Sequence, residues 1–226
     1  MKFSKPYQPP TLTVDIVIFR LKDRKLEVLL TKRANQPFKG AWSLPGGYCA
    51  EGQTTLSALD AIVKRKVGID LEKDLTHIEQ LYTFDTVARD PRGHAVSVTY
   101  MGLCNDSPTI DDAEQESKFL SVDKLGELAY DHSEIIKYAR ERLIAKLNYT
   151  NAVAGLLESK FTMTQLQDAY EAVFGHKLDK RNFRKKIIKL DLIHETSEMW
   201  REGAHRPAKL YAFNKPLLES LSRSFD

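Results

Sequence analysis

The stretch of residues 42–48 reads Trp-Ser-Leu-Pro-Gly-Gly-Tyr and separates a region of strand pattern from a region of helix pattern. Its proline and paired glycines predict a loop. Before it, alternating apolar residues at 14–18 and the apolar run 26–30 predict two strands joined by a short charged turn. After it, apolar residues at helical spacing predict a helix from about Thr54 to Val67 that stops at Gly68.

The elements that follow continue the alternation of strands and helices. Strands are predicted near 79–86, 95–104 and 117–120, and a helix is predicted from Ser133, as its cap, to about Leu147. Four apolar residues of the first helix share one face, which predicts that this face is buried: Leu56, Leu59, Val63 and Val67. This order predicts an α/β fold for residues 1–125.

Beyond residues 148–151 the pattern changes to two helices and a hairpin. Thr162 and Gln165 match a capping box, which opens a helix that ends at Gly175. Asp179 is then placed to cap a second helix over residues 180–190.

Two short strands, near 192–196 and 208–213, complete this second unit around a polar loop. Two helices followed by such a hairpin are typical of a winged helix–turn–helix, in which the second helix enters the major groove of DNA. We therefore predict two domains, residues 1–148 and residues 149–226.

The formal net charge of +3 is concentrated in the second domain. Residues 1–150 hold 21 basic and 21 acidic residues, whereas residues 175–215 hold 11 and 5, a pattern that favours phosphate-backbone binding. No apolar stretch approaches the ~20 residues needed to cross a bilayer. Cys49 and Cys104 fit reduced thiols. The chain is therefore expected in the cytoplasm, with no membrane partner.

The stretch 42–48 resembles the entry to the Nudix hydrolase motif, in which glutamates on one helix hold Mg²⁺ for hydrolysis of nucleoside diphosphates linked to another group. With Gly47 as the motif's glycine, its four glutamate positions hold Gln53, Ile62, Arg65 and Lys66. A hard divalent cation would not bind an amide, an alkyl group and two cations. The resemblance therefore implies a Nudix-like pocket without catalytic residues, without a metal site and without a cofactor.

Loss of the carboxylates need not remove the pocket. Arginines on a loop beside an aspartate suit a pyrophosphate and ribose hydroxyls, and aromatic rings can stack on adenine. The residues expected to contact ADP-ribose or a related nucleotide are Arg33, Trp42, Gly46, Gly47, Tyr82, Arg89, Asp90, Arg92 and His132. Structural roles stay open for Arg89, Asp90 and Arg92 as a hairpin turn, for Arg33 and His132 as loop supports, and for Trp42 as a packing anchor.

The basic residues of the second domain lie on its second helix and on the loop that follows. Phe183, Ile187 and Leu190 form an apolar stripe, so basic residues on the opposite face are left for phosphate contact. The predicted DNA-binding residues are Lys177, Lys180, Arg181, Asn182, Arg184, Lys185, Lys189, Arg201, Arg206 and Lys209. The alternative is a protein-interaction module with a solvated basic helix.

An α/β, or α+β, Nudix-like sandwich followed by a small winged helix–turn–helix resembles the Nudix-related transcriptional regulators, the NrtR family. The resemblance covers essentially the whole chain. It implies a homodimeric repressor of NAD metabolism genes that binds a palindromic operator in double-stranded DNA and is released by ADP-ribose as its effector. Two alternatives stay open: an active Nudix-fold hydrolase of ADP-ribose-like substrates, and a related regulator that responds to sugars.

Overall fold

The computed structural model describes residues 8–105, 108, 110, 116–201 and 207–215. Within them, the amino-terminal part is a mixed sheet that packs against helices on both faces. Its strands are β1 (Thr11–Lys22), β2 (Lys25–Lys32), β3 (Trp42–Ser43), β4 (Gly46–Tyr48), β5 (His77–Phe84), β6 (Ala95–Cys104) and β7 (Ser117–Ser121), and its helices are α1 (Thr55–Val67) and α2 (His132–Leu147). The predicted α/β fold of this part is confirmed.

The sheet is built around β1. The strand order is β3-β2-β1-β6-β5, with β4 also paired to β1 and β7 paired to β2. Because successive side chains of a strand point to opposite faces, Val14, Ile16 and Ile18 pack in the same cluster as α1, whereas Val17 and Phe19 pack in the cluster that contains α2. β1 is therefore buried on both faces and supports the elements that surround the site.

The limits of α1 follow from its capping residues. The Thr54 hydroxyl accepts a hydrogen bond from the Ser57 N–H, and Gly68 ends the helix in the left-handed conformation, at φ 74°. The prediction for Leu56 was wrong: its side chain is 46% exposed, and Ile62 is buried instead. The buried face is rotated because α1 packs beside β4 as well as over β1.

The start of α2 also differs from the prediction. The helix begins at His132 with Asp131 in the capping position, where its side chain makes no capping hydrogen bond to the helix backbone. Ser133 therefore lies inside the first turn and is not the cap. The carboxylate of Asp131 is engaged with Arg89 instead.

The carboxy-terminal part contains β8 (Phe161–Thr162), α3 (Met163–Phe174), α4 (Lys180–Lys189), β9 (Ile193–Trp200) and β10 (Ala208–Phe213). The capping box of α3 is present, and Asp179 caps α4 as predicted. Phe183 and Ile187 are buried, whereas Leu190 follows the helix and is half-buried. β8, too short to predict, pairs with β10. Among the described helices, none combines the length and apolar composition that crossing a bilayer requires.

The two parts share one hydrophobic core. Leu143 and Leu147 of α2 lie in the same buried cluster as Phe161, Leu166 and Val173 of the carboxy-terminal part. A second link is polar: Arg24, in the β1–β2 turn, pairs with Asp168 of α3 at 3.1 Å. The domain boundary after residue 148, directly beyond α2, stays a prediction.

Candidate functional site

A cavity of about 370 Å³ opens beside β4, a size typical of small-molecule sites. Its walls come from β1, β4, α1, the loop after β2, the loop between β5 and β6, and the start of α2. The lining residues are Thr13, Asp15, Arg33, Ala34, Asn35, Gln36, Ser43, Leu44, Gly46, Gly47, Tyr48, Ile62, Arg65, Lys66, Arg89, Asp90, Arg92, Tyr130 and His132. Seven of the nine predicted ligand residues are among them.

Only glycine fits at position 46, in the floor of the cavity. β4 pairs with β1 so that Gly46 lies opposite Asp15. A Cβ at Gly46 would stand 2.0 Å from Asp15 Oδ1 and 2.4 Å from the Val14 carbonyl, so no side chain fits. Gly47 is less constrained, because its Cβ would meet only the side chain of Ile62, at 3.2 Å. The paired glycines thus bring bare backbone to the cavity surface.

His132 connects this floor to α2. The Leu44 N–H donates to His132 Nδ1 at 2.8 Å, and the ring is only 3% exposed. Burial lowers the pKa of the imidazole, which is therefore neutral near pH 7. Because Nδ1 accepts, we assign the proton to Nε2, which faces Asp15 Oδ1 at 3.9 Å. A support role for His132 is built into this geometry.

The neutral state of His132 predicts acid sensitivity. The pKa of His132 in the folded protein lies below the ordinary histidine value of 6.5, so the imidazole binds a proton more readily once the protein unfolds. This contribution to stability is present in full above pH 6.5 and is lost as the pH falls towards the lowered pKa. We expect the free energy of unfolding to drop by up to ~1.4 kcal/mol per pH unit there.

Urea unfolding of the wild type and of His132→Asn, at pH 7.5, 6.5 and 5.5, measures this effect. The asparagine keeps an acceptor for Leu44 but has no titrating ring. Equal pH slopes for the two proteins would contradict the assignment of a neutral, buried imidazole.

Arg89 fastens the β5–β6 loop to the start of α2. Its Nε and Nη2 donate to the two carboxylate oxygens of Asp131 at 2.8 and 2.7 Å, and the side chain is 5% exposed. Such bidentate pairs fix orientation as well as charge. A further carboxylate, Asp15, lies 4.0 Å from Arg89 Nη2. Arg89 therefore lines the cavity with its charge already balanced by acidic neighbours.

Arg92 and Asp90 form the outer wall. Arg92 donates to both oxygens of Asp90, at 2.9 and 2.6 Å, and hydrogen bonds from Arg92 hold the pKa of Asp90 below its usual value. The Arg92 guanidinium also reaches the Tyr130 hydroxyl at 3.2 Å and lies 5.6 Å from the Tyr48 ring. Since this guanidinium is 44% exposed, it can exchange these contacts for an anionic ligand.

The α1 face of the cavity is cationic. Arg65 and Lys66 both line it, and Lys66 Nζ donates to the Gly46 carbonyl at 2.8 Å. Across the whole lining, five arginine and lysine side chains face two carboxylates, Asp15 and Asp90. Among the described residues, no group of three or more His, Cys, Asp or Glu side chains is arranged to hold a metal ion. The cavity therefore suits an anion.

Two predicted ligand residues, Trp42 and Tyr82, are not among the lining residues of this cavity, so their contact with a ligand stays a prediction. Trp42 packs beneath Lys118, whose Nζ lies 4.4 Å from the ring centroid, and pairs with Leu128. Tyr82 makes an edge contact with Phe84, at 5.4 Å, and a tilted contact with Tyr138, at 5.3 Å. These contacts of Trp42 agree with its alternative interpretation as a packing anchor, and Tyr82 belongs to an aromatic cluster of β5 and α2.

Two tyrosines of the cavity, Tyr48 and Tyr130, were not predicted. Tyr48 is the last residue of the stretch 42–48 and is 55% exposed. Tyr130 has Arg33 over its ring at 4.8 Å and Phe38 against its edge at 4.9 Å. Arg33 itself donates from Nε to the Pro37 carbonyl at 2.7 Å, so it also holds its own loop. These two rings are aromatic surfaces of the cavity that a ligand can contact.

The candidate DNA surface lies on α4. Arg181, Lys185 and Lys189 are exposed on the side opposite Phe183 and Ile187. The other predicted residues of α4, Lys180, Asn182 and Arg184, are exposed as well. Asn182, however, borders an apolar groove between α2, α3 and α4. Lys186 and Ile188 of the same helix are exposed too, and Lys186 borders the same groove as Asn182.

Some of the predicted DNA-binding residues already hold partners. Lys177 Nζ pairs with Glu171 at 2.6 Å, and Lys209 pairs with Glu195 across β9 and β10. Burial alone would raise the pKa of Glu171, but hydrogen bonds from Lys177, Leu178 and Gln167 outweigh it and hold that pKa at about 2. Glu171 therefore fixes the turn that precedes α4.

The predicted wing is described only in part. Arg201 directly follows β9 and is exposed. Arg206 lies outside the described residues. Met199 and Trp200, at the end of β9, are 47% and 43% exposed, so the described base of the wing also carries apolar surface.

Comparison with known proteins identifies both parts. Residues 9–140 match the NUDIX domain model, and residues 153–213 match the model of the NrtR DNA-binding winged helix domain. The chain is 34% identical over 214 residues to the ADPR responsive transcriptional repressor NtrR of Acinetobacter baylyi, an alignment that spans 92% of this chain and 83% of that protein. The chain belongs to the NrtR family.

A solved NrtR structure agrees over both domains. The crystal structure of Shewanella oneidensis NrtR complexed with a 27mer DNA matches with a TM-score of 0.75 and 32% identity, over 93% of this chain and 99% of that one. The NUDIX domain of the same protein complexed with ADP ribose matches with a TM-score of 0.53 and 32% identity, over 61% and 90% of the two chains. The predicted architecture of a Nudix domain followed by a winged helix is confirmed.

The Nudix half of this NrtR chain is also similar to an enzyme. Over 139 residues, 61% of this chain and 77% of the relative, it is 33% identical to the ADP-ribose pyrophosphatase of Methanocaldococcus jannaschii. Two relatives that span both domains, from Acinetobacter baylyi and Shewanella oneidensis, are named NtrR and NrtR, whereas this enzyme matches the first domain.

Proposed function

We propose that this chain is a transcriptional repressor of NAD metabolism genes that binds operator DNA through α4 and its wing and releases it when ADP-ribose, or a related nucleotide, fills the cavity. The relatives carry the same two domains, one named as responsive to ADP-ribose and one solved with DNA. The active form we propose is a homodimer on a palindromic operator, because two recognition helices then meet two half-sites.

The observation that carries the ligand assignment is the cationic α1 face. A pyrophosphate needs several positive donors, and the cavity supplies Arg65 and Lys66 where the enzyme motif has glutamates. Arg33 and Arg92 stand on the opposite rim, beside Tyr130 and Tyr48. Such a site can neutralise a diphosphate with side chains alone.

Binding without a metal is tested by calorimetry. The full chain is titrated with ADP-ribose in the presence of EDTA and again with 5 mM Mg²⁺. The proposal expects similar affinities under both conditions. Binding that appears only with Mg²⁺ would reject it, and titration with free sugars tests the sugar-responsive alternative in the same experiment.

The same residues predict that the cavity does not hydrolyse its ligand. Gln53, Ile62, Arg65 and Lys66 provide no carboxylate for a divalent cation or an attacking water. Incubation with ADP-ribose and Mg²⁺ or Mn²⁺ should release no AMP above the rate without protein. Turnover near ~1 s⁻¹, which is ordinary for enzymes, would favour the hydrolase alternative.

DNA binding is tested with a duplex that the full-length protein selects from a random pool. Fluorescence anisotropy of this duplex should show specific binding that saturating ADP-ribose weakens by about 10- to 100-fold, within the usual range of allosteric coupling. Failure to enrich any duplex would reject the repressor assignment.

A further inference from the structure

One helix, α2, contacts both candidate sites. The beginning of α2 supports the cavity wall, because Asp131 accepts a hydrogen bond from Arg89 and His132 accepts one from the Leu44 N–H. Its second half lies in the core shared with α3, through Leu143 and Leu147. A continuous helix of 16 residues spans roughly 24 Å as a rigid element. A displacement at the cavity end of α2 is therefore carried along its length.

Arg140, in the middle of α2, caps the end of α3. Its Nε donates to the Val173 carbonyl at 3.0 Å and its Nη2 to the Ala172 carbonyl at 3.4 Å, while Nη1 donates to Asp123 at 2.9 Å. The last carbonyls of a helix lack partners within it, and the negative end of the helix dipole favours a cation. The guanidinium thus satisfies two acceptors that α3 cannot satisfy itself.

The same guanidinium touches the turn that leads to α4. Gly175 ends α3 in the left-handed conformation, at φ 77°, and a Cβ there would stand 2.7 Å from Arg140 Nη2. The close approach of Arg140 therefore helps to fix the direction in which the chain leaves α3. Since this turn positions α4, the orientation of the candidate DNA surface depends on the same contact.

The other polar contacts between the described residues of the two halves do not reach the end of α3. The Thr76 hydroxyl donates to the Gly155 carbonyl at 2.8 Å, but Gly155 precedes β8 and is not part of α3. The shared apolar core stabilises their association but does not by itself fix an orientation. The Arg24–Asp168 pair is exposed on the arginine side, at 72%, and exposed pairs contribute little. Arg140 makes three hydrogen bonds and is 22% exposed.

We propose that Arg140 is the positioning residue that transmits occupancy of the cavity to the DNA-binding helices, a role that rests on the proposed function. An anionic ligand that binds Arg89 or Arg92 changes the contact of Arg89 with Asp131 or that of Arg92 with Tyr130, just before α2. α2 then moves against the sheet, and Arg140 moves the end of α3 with it. Without Arg140, each ligand still binds, but the two binding events become independent.

The experiment compares Arg140→Gln with a matched control, Arg142→Gln. Arg142 lies on the same helix, and its hydrogen bonds to described residues stay in its own domain, to the Leu81 carbonyl and the Tyr138 hydroxyl, both at 3.4 Å. Calorimetry gives the ADP-ribose affinity, and anisotropy with the selected duplex gives the DNA affinity with and without saturating ADP-ribose. The coupling factor is the ratio of those two DNA affinities.

We expect ADP-ribose to weaken DNA binding about 10- to 100-fold in the wild type and in Arg142→Gln. In Arg140→Gln the factor should fall below about 3, while ADP-ribose affinity stays within about 3-fold of the wild type. An unchanged coupling factor in Arg140→Gln would overturn the proposal. A wild type that binds duplex but ignores ADP-ribose would instead reject the proposed function.

A second variant loosens the same contact from the α3 side. Gly175→Asn introduces a side chain that tolerates the left-handed conformation. Its Cβ would press against Arg140 Nη2, the end of a long side chain. The variant should also lower the coupling factor without loss of ADP-ribose binding. If thermal melting shows that Arg140→Gln does not fold, Gly175→Asn is the test that remains. A coupling factor in Gly175→Asn equal to that of the wild type would then contradict the role proposed for Arg140.

Discussion

Arg181→Glu/Lys185→Glu should bind the selected duplex at least about 100-fold more weakly than the wild type, with ADP-ribose affinity unchanged. Both side chains project from α4 opposite its buried residues, Phe183 and Ile187. Reversal of their charge replaces attraction to phosphate by repulsion. The measurement is anisotropy at several salt concentrations, with calorimetry for ADP-ribose.

The matched control for this prediction lies on the same helix. Lys186 carries the same charge but lines the apolar groove towards α2. Lys186→Glu should therefore weaken DNA binding much less than Lys185→Glu does. The slope of log affinity against log salt should also shrink by about 0.9 for each lost phosphate contact. Equal losses for Lys185→Glu and Lys186→Glu would point to overall charge, and retained binding in the double variant would favour the protein-interaction alternative.

Lys66→Glu should produce the largest loss at the cavity. The substitution restores the acidic residue of the enzyme motif, puts a negative charge where a diphosphate is expected, and removes the donor to the Gly46 carbonyl. Charged hydrogen bonds of this kind contribute ~1.5–3 kcal/mol, so with the added repulsion we expect at least a 100-fold weaker affinity for ADP-ribose in EDTA. Lys66→Met, which keeps the aliphatic stem, should lose about 10-fold.

Lys64→Met supplies the control, since Lys64 lies on the same helix but pairs with Asp70 at 3.0 Å, outside the cavity. It should bind ADP-ribose like the wild type. Calorimetry without divalent cations measures all three variants, and a thermal melt of each shows that the fold is retained. Undiminished affinity in Lys66→Glu would mean that the diphosphate does not lie against α1.

The helix limits were the most predictable part of the fold. Thr54, Gly68, Thr162, Gly175 and Asp179 act through hydrogen bonds or backbone conformation within a few residues, so their effect can be inferred from local sequence. The cationic α1 face was predictable for a similar reason. Once a motif fixes the position of a helix, regular spacing shows which residues share a face.

The aromatic residues of the cavity were not predictable because their directions depend on distant pairing. Trp42 lies on β3, beside β2, and its ring contacts Lys118 of β7 and is not part of the cavity lining. Tyr130 enters the site because a left-handed backbone conformation, at φ 56°, precedes α2. The pairing of Arg89 with Asp131 joins residues 42 positions apart. None of these directions follows from spacing along one element.

The buried cluster that runs from α2 into α3 limits how this chain can be re-engineered. Grafting residues 149–226 onto an unrelated sensor would remove Leu143 and Leu147 from the buried cluster that they share with Phe161 and Leu166. Each large apolar side chain left in water costs about 1.5–3 kcal/mol, which is a substantial share of the stability of a small domain. A biosensor made from this chain would therefore have to keep α2 together with the winged helix, and would join the new sensor before residue 132.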